Sequence, residues 1–509
     1  MIRKLISILK HKIFIIGILI LVQLLFLFTT LFILSEYFVV INFLLLLLSF
    51  VVSLYIYNSN DNPSYKMTWI ILIMSVPILG GFVYLLFGGQ KVPKELRIRD
   101  REAFCEFREV IHQDEEILNE LQQKDKNAYK QANYLWNNAG FPIYRNGGST
   151  FYPIGESKFK ALCDDLRQAK HYIFLEYFII EPGVMWDTIL SILREKVKEG
   201  IDVRVLYDDV GCFTTLPNHY QKTLQQYGIK VKVFNKIEPK LAIQMNHRDH
   251  RKIAVIDGVI GYTGGINLAD EYINAIEKYG HWKDCAVRIE GEAVWCMTLM
   301  FLQFWNYDEK DNGDILRFQA KTPTTTHKGY VQPFSDAPTD EENVGEYTHI
   351  NMINSATTYL YAMTPYLIID HEMKLALTLA AKNGVDVRIL VPHIPDKKTV
   401  FLVTQANYRH LLEAGVKIYE YTPGFVHGKL LISDDCKAVV GSVNMDYRSY
   451  YLHYECGVCF YDVPEILDMK KDYEDTLLKS QEITLDMIEQ LPLWKKFIMA
   501  FFNLFSPLI

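Results

Sequence analysis

The chain has 509 residues, which is too long for one ordinary domain and suggests roughly three. Hydrophobic residues make up 50% of the chain and its mean hydropathy is slightly positive, which favours membrane spans in one part of it. The formal net charge of −7 argues against a nucleic-acid partner, so an anionic substrate would have to be met by local cations.

Three apolar runs without a charged residue lie in the first 90 residues, at 13–34, 37–57 and 67–87. Each has the roughly 20 residues needed to cross the core of a bilayer, so we predict a helical membrane region over 1–90. The first run is too long for the core of a signal peptide, and no small-residue cleavage site follows it.

Basic residues flank this region on both sides, and basic flanks favour the cytoplasm. Three full spans cannot leave both flanks in the cytoplasm, so either the first run is re-entrant or one basic segment is translocated. We expect a multi-pass protein of the plasma membrane with a cytoplasmic catalytic part. Residues 91–135 are charged and nearly free of proline, and they predict a helical connector that leaves the membrane.

Strands and helices alternate after about residue 140, in the βαβ order of a parallel sheet covered by helices. The predicted elements are a strand, a helix and a strand at 171–180, 187–200 and 201–207, and again at 358–364, 371–383 and 384–391.

The two series also match in sequence. EGIDVRVLYDD at 199–209 is similar to NGVDVRILVPH at 383–393, and YGIKVKVF at 227–234 is similar to AGVKIYEY at 414–421. We therefore predict an α/β protein with two similar halves, over 136–318 and 319–490.

Each half carries the pattern H-x-K-x4-D followed at the same distance by Gly-Gly/Ser-x-Asn. The residues are His250, Lys252, Asp257, Gly265 and Asn267 in the first half and His427, Lys429, Asp434, Ser442 and Asn444 in the second. Side chains two apart on a strand share a face, so each histidine lies beside its lysine. We predict the histidine, lysine and aspartate of both motifs as the catalytic set. Each aspartate ends an apolar run as a turn residue would, and we expect both to pin β-hairpin turns.

Two imidazoles, two ammonium groups and two amides would converge if the halves face each other. This set suits a phosphodiester, because lysines and amides stabilise the charge of the transition state. One imidazole can attack phosphorus, and the other can protonate the leaving oxygen and then deprotonate the incoming hydroxyl. We predict that Asn267 and Asn444 bind the substrate, with Gly265 and Ser442 allowing close approach of the backbone.

These residues resemble the phospholipase D superfamily, whose mark is the same double pattern, over about residues 135–490. More narrowly they are similar to bacterial cardiolipin synthases, whose N-terminal module resembles NPSYKMTWIILIMSVPILGGFVYLLFG in the third apolar run. The resemblance implies an α-β-α sandwich in each half, with a mixed sheet flanked by helices. It also implies transfer between two phosphatidylglycerol molecules of the bilayer, giving cardiolipin and glycerol through a phosphohistidine, without metal or cofactor. The additional first apolar run departs from the two spans often seen in these synthases.

The resemblance further implies that His250 is the nucleophile and His427 the acid and base. It places a carboxylate behind each histidine, to hold the ring in one tautomer. Glu455 occupies that position in the second half. Lys278 stands at the equivalent spacing in the first half, which departs from the family, and Asp284 is the expected substitute.

Glu176 is the single charge in an apolar strand and would be costly to bury unpaired, so we expect it to bind substrate rather than to lie in the core. The apolar tail over 491–509 carries two lysines and fits either a helix in the membrane interface or a helix packed on the domain.

A metal site at His247, Asp249 and His250 has no further ligands to support it, and the eight cysteines include one C-x-x-C at Cys456 and Cys459. The cysteines are better explained as small buried residues in a reducing compartment.

Three other functions remain as alternatives: a lipid hydrolase or another transphosphatidylase of the same fold, a nuclease, and a membrane scaffold without activity. The net charge and the apolar runs disfavour the nuclease, and the two intact motifs disfavour the scaffold. The sequence does not indicate an oligomeric state.

Overall fold

The computed structural model describes residues 38–76, 94–236, 246–306, 315–321, 327–340 and 342–508, with a few positions between 25 and 92. The predicted first span, 13–34, lies outside the described residues except for Leu25 and Thr29. The chain forms two compact units, one made of most residues before Val92 and one made of most residues after it.

The first unit contains two described helices, α1 at Phe38–Tyr57 and α2 at Pro63–Ser75. Asn62 caps α2 by accepting a hydrogen bond from the backbone N–H of Ser64, and Pro63 suits the first helical position. The predicted run 37–57 is therefore helical. In the run predicted over 67–87, α2 begins earlier, at Pro63, and ends at Ser75; Gly80, Gly81, Val83 and Tyr84 are also helical, and 77–79, 82 and 85–87 lie outside the described residues. Among the residues that the structure describes, no helix is long and apolar enough to cross a membrane.

The second unit begins with the predicted helical connector, which consists of three helices: α3 at Lys94–Val110, α4 at Glu115–Lys124 and α5 at Lys126–Asn137. Asp114 and Asp125 cap α4 and α5 through their carboxylates. Apolar residues of all three helices join the core of the second unit, so the connector is part of the globular structure.

The first half forms a seven-stranded mixed sheet. Its strands, in spatial order, are β2 (Ser149–Tyr152), β10 (Ala286–Glu290), β8 (Ile260–Gly264), β7 (Lys252–Ile256), β3 (Tyr172–Tyr177), β4 (Asp202–Asp208) and β5 (Lys230–Phe234). Its helices are α6 (Gly155–Gln168), α7 (Val184–Lys198), α8 (Tyr220–Gln226) and α9 (Val294–Trp305).

The second half forms a larger sheet. Its main path comprises β1 (Tyr144–Arg145), β11 (Tyr330–Asp336), β20 (His453–Tyr461), β18 (Lys437–Gly441), β17 (Leu430–Ser433), β12 (Tyr359–Met363), β14 (Asp386–Pro392), β15 (Lys417–Tyr421) and β21 (Ser480–Ile483). Its helices are α10 (Val344–Ser355), α11 (His371–Lys382), α12 (Lys398–Glu413), α13 (Tyr447–Tyr451), α14 (Glu465–Leu477), α15 (Leu485–Glu489) and α16 (Leu493–Leu504).

The two sheets repeat one topology. In each, three parallel strands (β3, β4, β5 and β12, β14, β15) continue into antiparallel ones (β7, β8, β10 and β17, β18, β20) in the same order. The predicted strands and helices of both βαβ units are present, with ends shifted by up to three residues. The prediction of an α/β fold with two similar halves is thus confirmed. One strand differs, because β1 precedes the first sheet in the chain but pairs with β11 of the second.

The hairpins that carry the two motifs have matching turns. Asp257 and Gly258 turn the first, and Asp434 and Asp435 turn the second, all with positive φ. Asp257 accepts hydrogen bonds from three backbone N–H groups at the start of β3, including that of Tyr172 at 2.9 Å. Asp434 does the same at the start of β12. Each aspartate therefore fastens its turn to the neighbouring parallel strand.

Two short parallel ladders join the halves. β6 (Arg248–Asp249) of the first half pairs with the start of β20, so that Asp249 faces Tyr454. β9 (His281–Lys283) of the first half pairs with β16 (Gly424–Val426) of the second, so that Lys283 faces Val426. A further pair, β13 (Leu367–Ile368) and β19 (Met445–Asp446), lies within the second half.

Helix α16 packs on the second half through Met499 and Phe502, which agrees with a helix packed on the domain. Its other face leaves Leu493, Trp494 and Phe497 largely exposed. The eight cysteines are all free thiols, and Cys456 and Cys459 are buried in β20.

Candidate active site

The two ladders between the halves determine which groups meet. Asp249 faces Tyr454, so the residues that follow them, His250 and Glu455, come together. Val426 faces Lys283 in the other ladder, so His427 and Asp284 come together. Each histidine therefore meets a carboxylate from the opposite half.

His250 is held by Glu455 from β20. Its Nδ1 lies 2.9 Å from one carboxylate oxygen of Glu455 and 3.0 Å from the other. Glu455 is completely buried and also accepts hydrogen bonds from the hydroxyls of Ser442 and Ser449. This network fixes a tautomer in which Nδ1 carries the proton and Nε2 keeps a free lone pair.

His427 has the equivalent arrangement with a shorter acid. Its Nδ1 lies 2.7 Å from Asp284, which is completely buried. Lys429 Nζ lies 2.9 Å from the same nitrogen, but an N–H that donates to the carboxylate leaves no lone pair there for the ammonium group. The carboxylate bond again leaves Nε2 free.

Aromatic rings pack against both imidazoles. Phe178 and His453 lie 5.1 Å and 5.4 Å from His250, measured between ring centroids. Tyr272 and Trp282 each lie 5.4 Å from His427. These neighbouring aromatic side chains limit rotation of the two imidazole rings away from their carboxylates.

Burial and charge keep the histidines neutral. Burial lowers the pKa of His250 well below its ordinary range, and the charges of Lys252 and Lys429 add to the effect. Burial together with Lys429 lowers the pKa of His427 to about 4. Both rings are therefore unprotonated at neutral pH in the free protein.

The two lysines are buried beside the histidines. Lys252 Nζ donates to the backbone carbonyl of His250, and Lys429 Nζ donates to that of His427. Burial lowers the pKa of Lys252 to about 7 and that of Lys429 to about 8, although Glu455 and Asp284 oppose the shifts. Part of their charge is therefore lost near neutral pH until an anion binds.

Gly265 and Ser442, which we expected to let a ligand approach, contact the carboxylates behind the histidines. A Cβ at Gly265 would lie 2.1 Å from Asp284 Oδ1, so only glycine leaves room for this acid. Ser442 is completely buried and donates its hydroxyl to Glu455. Both positions support the acids behind the histidines.

Asn267 and Asn444 differ in their bonding. Asn267 accepts a hydrogen bond from the N–H of Ile179 and donates to the hydroxyl of Tyr272, so its amide is already bonded within the protein. Asn444 is also buried, and its side-chain oxygen is without a hydrogen-bond partner among the described residues. Of the two predicted amides, Asn444 therefore has an available polar atom.

Glu176 is not brought to the site, in contrast to our expectation that it binds substrate. Its carboxylate is completely buried and lies 2.6 Å from the guanidinium of Arg251, which also approaches Asp249 at 3.4 Å. Arg251 in turn stacks over the ring of Phe304. The cost of burying Glu176 is offset by this cation, which the sequence argument did not consider.

Asp257 and Asp434 were grouped with the catalytic residues by their motif. Their hydrogen bonds lie at the hairpin turns, at the other end of each strand from the histidine. The bonding is that of residues that pin turns, as expected for both.

One group of possible metal ligands occurs among the described residues: His250, His453 and Glu455, whose ligand atoms lie within 4.8 Å of one another. His250 and Glu455 already bond to each other. The sequence suggested a different metal site, at His247, Asp249 and His250. In the structure His247 contacts the carbonyl of Leu452 and Asp249 approaches Arg251.

His453 is a residue of the site that our sequence analysis missed. It stands two residues before Glu455 on β20, so the two-residue period of a strand could have placed it on the same face. It is 9% exposed; its Nδ1 lies 3.7 Å from the carboxylate of Glu455, and neither ring nitrogen has a partner within hydrogen-bond distance in the part of the chain that is described. Burial lowers its pKa to about 3, so it is a neutral polar group beside the nucleophile candidate.

Two family profiles match the chain. The profile described as "Cardiolipin synthase, PLD-like domain" matches residues 162–284 and 349–477. The profile described as "Phospholipase_D-nuclease N-terminal" matches residues 46–89. The two matches of the first profile contain the two histidine motifs.

Similar proteins occur in several bacteria. A Streptococcus mutans protein described as uncharacterized is 45% identical over 457 residues, which cover 90% of this chain and 99% of that protein. The "Cardiolipin synthase 2" of Bacillus anthracis is 34% identical over 467 residues, which cover 91% of this chain and 90% of the relative.

A crystal structure with a similar fold is that of phosphatidylserine synthase from Haemophilus influenzae. Its TM-score is 0.57 at 16% identity, over 74% of this chain and 97% of the other. At this identity the likeness concerns the fold alone.

Proposed function

Because the chain belongs to the phospholipase D-like family of cardiolipin synthases, we propose that it transfers a phosphatidyl group between two phosphatidylglycerol molecules, giving cardiolipin and glycerol. The observation that carries this proposal is the crossed pairing of His250 with Glu455 and of His427 with Asp284. It provides two neutral imidazoles, each with its proton held on Nδ1 and its lone pair on Nε2.

In the first step, Nε2 of His250 attacks the phosphorus of one phosphatidylglycerol. The bond from phosphorus to the glycerol headgroup breaks, and His427 in its protonated form gives its proton to the leaving oxygen. The anionic phosphodiester favours that form, because a nearby negative charge raises the pKa of an imidazole. A phosphatidyl group then remains on His250, and His427 is neutral.

In the second step, the terminal hydroxyl of another phosphatidylglycerol attacks the same phosphorus. His427 takes the proton of this hydroxyl, and the bond between phosphorus and Nε2 of His250 breaks. Cardiolipin leaves, and both histidines return to their initial state. Roles of this kind follow from general acid–base and nucleophilic catalysis by paired groups.

Lys252 and Lys429 stabilise the charge that develops on the non-bridging oxygens. Their low pKa values in the free protein follow mainly from burial, and a bound phosphate restores their charge. The side-chain oxygen of Asn444 is free of other bonds among the described residues, and as an acceptor it suits a hydroxyl of the substrate rather than the anionic oxygens.

We also propose that the protein works in the plasma membrane with a multi-pass N-terminal region. The charge-free runs at 13–34, 37–57 and 67–87 and the profile match at 46–89 support this anchor. The basic flanks favour a cytoplasmic catalytic part. The exposed apolar face of α16, with Leu493, Trp494 and Phe497, supports contact of the second half with the lipid surface.

The test is incubation of the purified protein with phosphatidylglycerol alone, in a buffer with a metal chelator, followed by mass spectrometry of the lipids. We expect cardiolipin and glycerol in equal amounts. Phosphatidic acid without cardiolipin would instead identify a hydrolase that uses water as acceptor.

A further inference from the structure

Transfer between two phosphatidylglycerol molecules brings two phosphodiesters into one site. The histidines and lysines bind the phosphate that reacts. The acceptor lipid carries a second phosphate, separated from its attacking hydroxyl by one glycerol unit, and this second negative charge needs cations of its own. A cation of the second unit that acts on His250 and has no ion pair would suit this charge.

Arg448 is such a cation. It lies on α13, is half-buried, and has no ion pair or side-chain hydrogen bond among the described residues. A guanidinium withdrawn from water in this way loses hydration that the nearby charge of Asp446 offsets without a hydrogen bond, so it favours an incoming anion. The acid nearest in sequence, Asp446, is engaged as the cap of α13, where it accepts a hydrogen bond from the N–H of Ser449 at 2.8 Å.

Arg448 lines a cavity together with a second cation. The empty space measures ≈ 330 Å³, part of it open to solvent, and its wall includes Lys397, Asp446 and Arg448. Lys397 is exposed and, in the described structure, unpaired. The two cations exceed the one acid, so the polar part of the cavity carries a net positive charge.

The rest of the wall is largely apolar. Ile368, Val400 and Tyr447 line the same cavity. Ser506, just after the end of α16, also lines it, so the cavity adjoins the helix whose other face exposes apolar side chains. A wall of this composition suits the glycerol backbone and first acyl carbons of a lipid better than it suits a free inorganic anion.

The cavity also lies within electrostatic reach of the reacting histidine. Burial lowers the pKa values of His250 and His453, and the charge of Arg448 adds to both shifts. The neutral ring of His453 lies 5.4 Å from that of His250. Its Nδ1 is 3.7 Å from the carboxylate of Glu455, and neither nitrogen has a partner within hydrogen-bond distance among the described residues. A neutral imidazole can bond a glycerol hydroxyl without attracting a second phosphate.

We propose that Arg448 and Lys397 bind the phosphodiester of the acceptor lipid, and that His453 hydrogen-bonds the glycerol unit that joins it to the reacting phosphorus. This acceptor site deepens the proposed phosphatidyl transfer and rests on it. It predicts a preference for acceptors that carry their own phosphate over simple alcohols.

The test compares two reactions of the same purified protein. Formation of cardiolipin needs both phosphates, whereas exchange of labelled glycerol into phosphatidylglycerol needs only the reacting one. We expect Arg448→Gln to slow cardiolipin formation about tenfold or more, the effect of losing one charge-assisted hydrogen bond, and to slow exchange less than about threefold. Arg448→Lys should recover part of the loss.

Lys397→Gln provides a second variant whose folding is not at risk, because Lys397 is exposed. It should lower the ratio of the rate of cardiolipin formation to the rate of glycerol exchange. Arg409→Gln, a control on α12 whose side chain pairs with Glu413, should leave this ratio unchanged. Inorganic phosphate should not inhibit cardiolipin formation by the wild type more than it inhibits glycerol exchange. Stronger inhibition of cardiolipin formation would show that the cavity binds a free anion instead.

Equal losses of both reactions in Arg448→Gln and Lys397→Gln would overturn the acceptor site, as would unchanged rates in both variants. A wild-type protein that catalyses neither reaction would refute the proposed transfer itself. The two failures are therefore distinguishable.

Discussion

Glu455, in the second half of the chain, lies 2.9 Å from Nδ1 of His250, in the first half. Asp284 and His427 repeat the contact in the opposite direction, at 2.7 Å. The cause is main-chain register, because each histidine and each acid directly follow a residue pair of an interhalf ladder. The predictions below follow from this crossed arrangement and from the charges around it.

The two histidines should be equally indispensable. We expect His250→Ala and His427→Ala each to reduce cardiolipin formation by about a thousandfold or more, because one removes the nucleophile and the other the acid and base. The rate of product formation and the thermal unfolding midpoint are to be measured together. A loss of tenfold or less with intact folding would contradict these roles. Mass spectrometry of rapidly quenched protein should find the lipid adduct on His250, and an adduct on His427 would exchange the two roles.

Each acid should act on the histidine of the other half. We expect Glu455→Gln and Asp284→Asn each to lower activity by about 10- to 100-fold, the usual cost of losing a carboxylate that orients an imidazole. The distinguishing measurement is the rate at which diethyl pyrocarbonate modifies each histidine, followed peptide by peptide. Glu455→Gln should change the rate at His250 and not at His427, and Asp284→Asn should do the reverse. Acids that act within their own half would give the opposite pattern.

Activity and stability should respond to pH in opposite directions. The pKa of Lys252 is about 7 and that of Lys429 about 8, so kcat/KM should fall as pH rises through this range and the free protein loses cationic charge. In the unfolded chain both lysines titrate near their ordinary 10.5. Between about pH 7 and 10 the unfolded state therefore binds more protons, and these two groups make the protein more stable as pH rises.

Lys252→Met isolates this contribution. The variant should be inactive, should unfold at a higher temperature than the wild type at pH 6, and should show less increase of stability between pH 7 and 9. The contribution of Lys252 is the difference in stability between the wild type and this variant. If that contribution falls between pH 7 and 9, the pKa of Lys252 is not lowered in the folded protein. The comparison uses thermal unfolding at matched ionic strength.

Glu176 should matter for folding and not for substrate. Glu176→Gln leaves the buried guanidinium of Arg251 without its 2.6 Å partner, and the loss of one partner of a buried pair costs about 3–5 kcal/mol. The unfolding midpoint should fall, while the KM for phosphatidylglycerol of the folded fraction should stay within about twofold, since no substrate contact is lost. A raised KM with unchanged stability would return Glu176 to the substrate site.

The exposed face of α16 should determine access to lipid in a bilayer. Phe497→Asp places a charge on that face, where the ring is 72% exposed, and should reduce activity on phosphatidylglycerol vesicles. Activity on a short-chain phosphatidylglycerol dissolved as monomers should be retained. Leu478→Asp is the matched control, since Leu478 is 86% exposed and lies outside α16. Equal effects on both substrates would argue against a membrane contact.

Much of the fold could be predicted because its determinants are local. The alternation of strands and helices, the paired βαβ segments and the turn residues Asp257 and Asp434 are all present in short stretches of sequence. The spacing of His250 and Lys252 also brings the two residues together, since Lys252 donates to the backbone carbonyl of His250, although His250 lies just before the strand rather than in it. The internal repeat then predicted that the second half has the same fold as the first.

The remaining parts depend on contacts distant in sequence. The pairing of His250 with Glu455 spans 205 residues, and no spacing rule indicates which half supplies the acid. Glu176 was misassigned because its cation, Arg251, is far from it along the chain. We expected Gly265 to make room for a ligand. The atom that a Cβ at this position would clash with is a carboxylate oxygen of Asp284. For Glu176 and Gly265, a single nonlocal neighbour accounts for the difference from an argument that was sound locally.

The two interhalf ladders also constrain how this protein can change over generations. A mutation in one copy of the repeat alters the proton chemistry of the other copy, since neither imidazole is oriented by its own sheet. Neither half can therefore lose its acid without changing the chemistry of the other, so the two halves are retained or lost together.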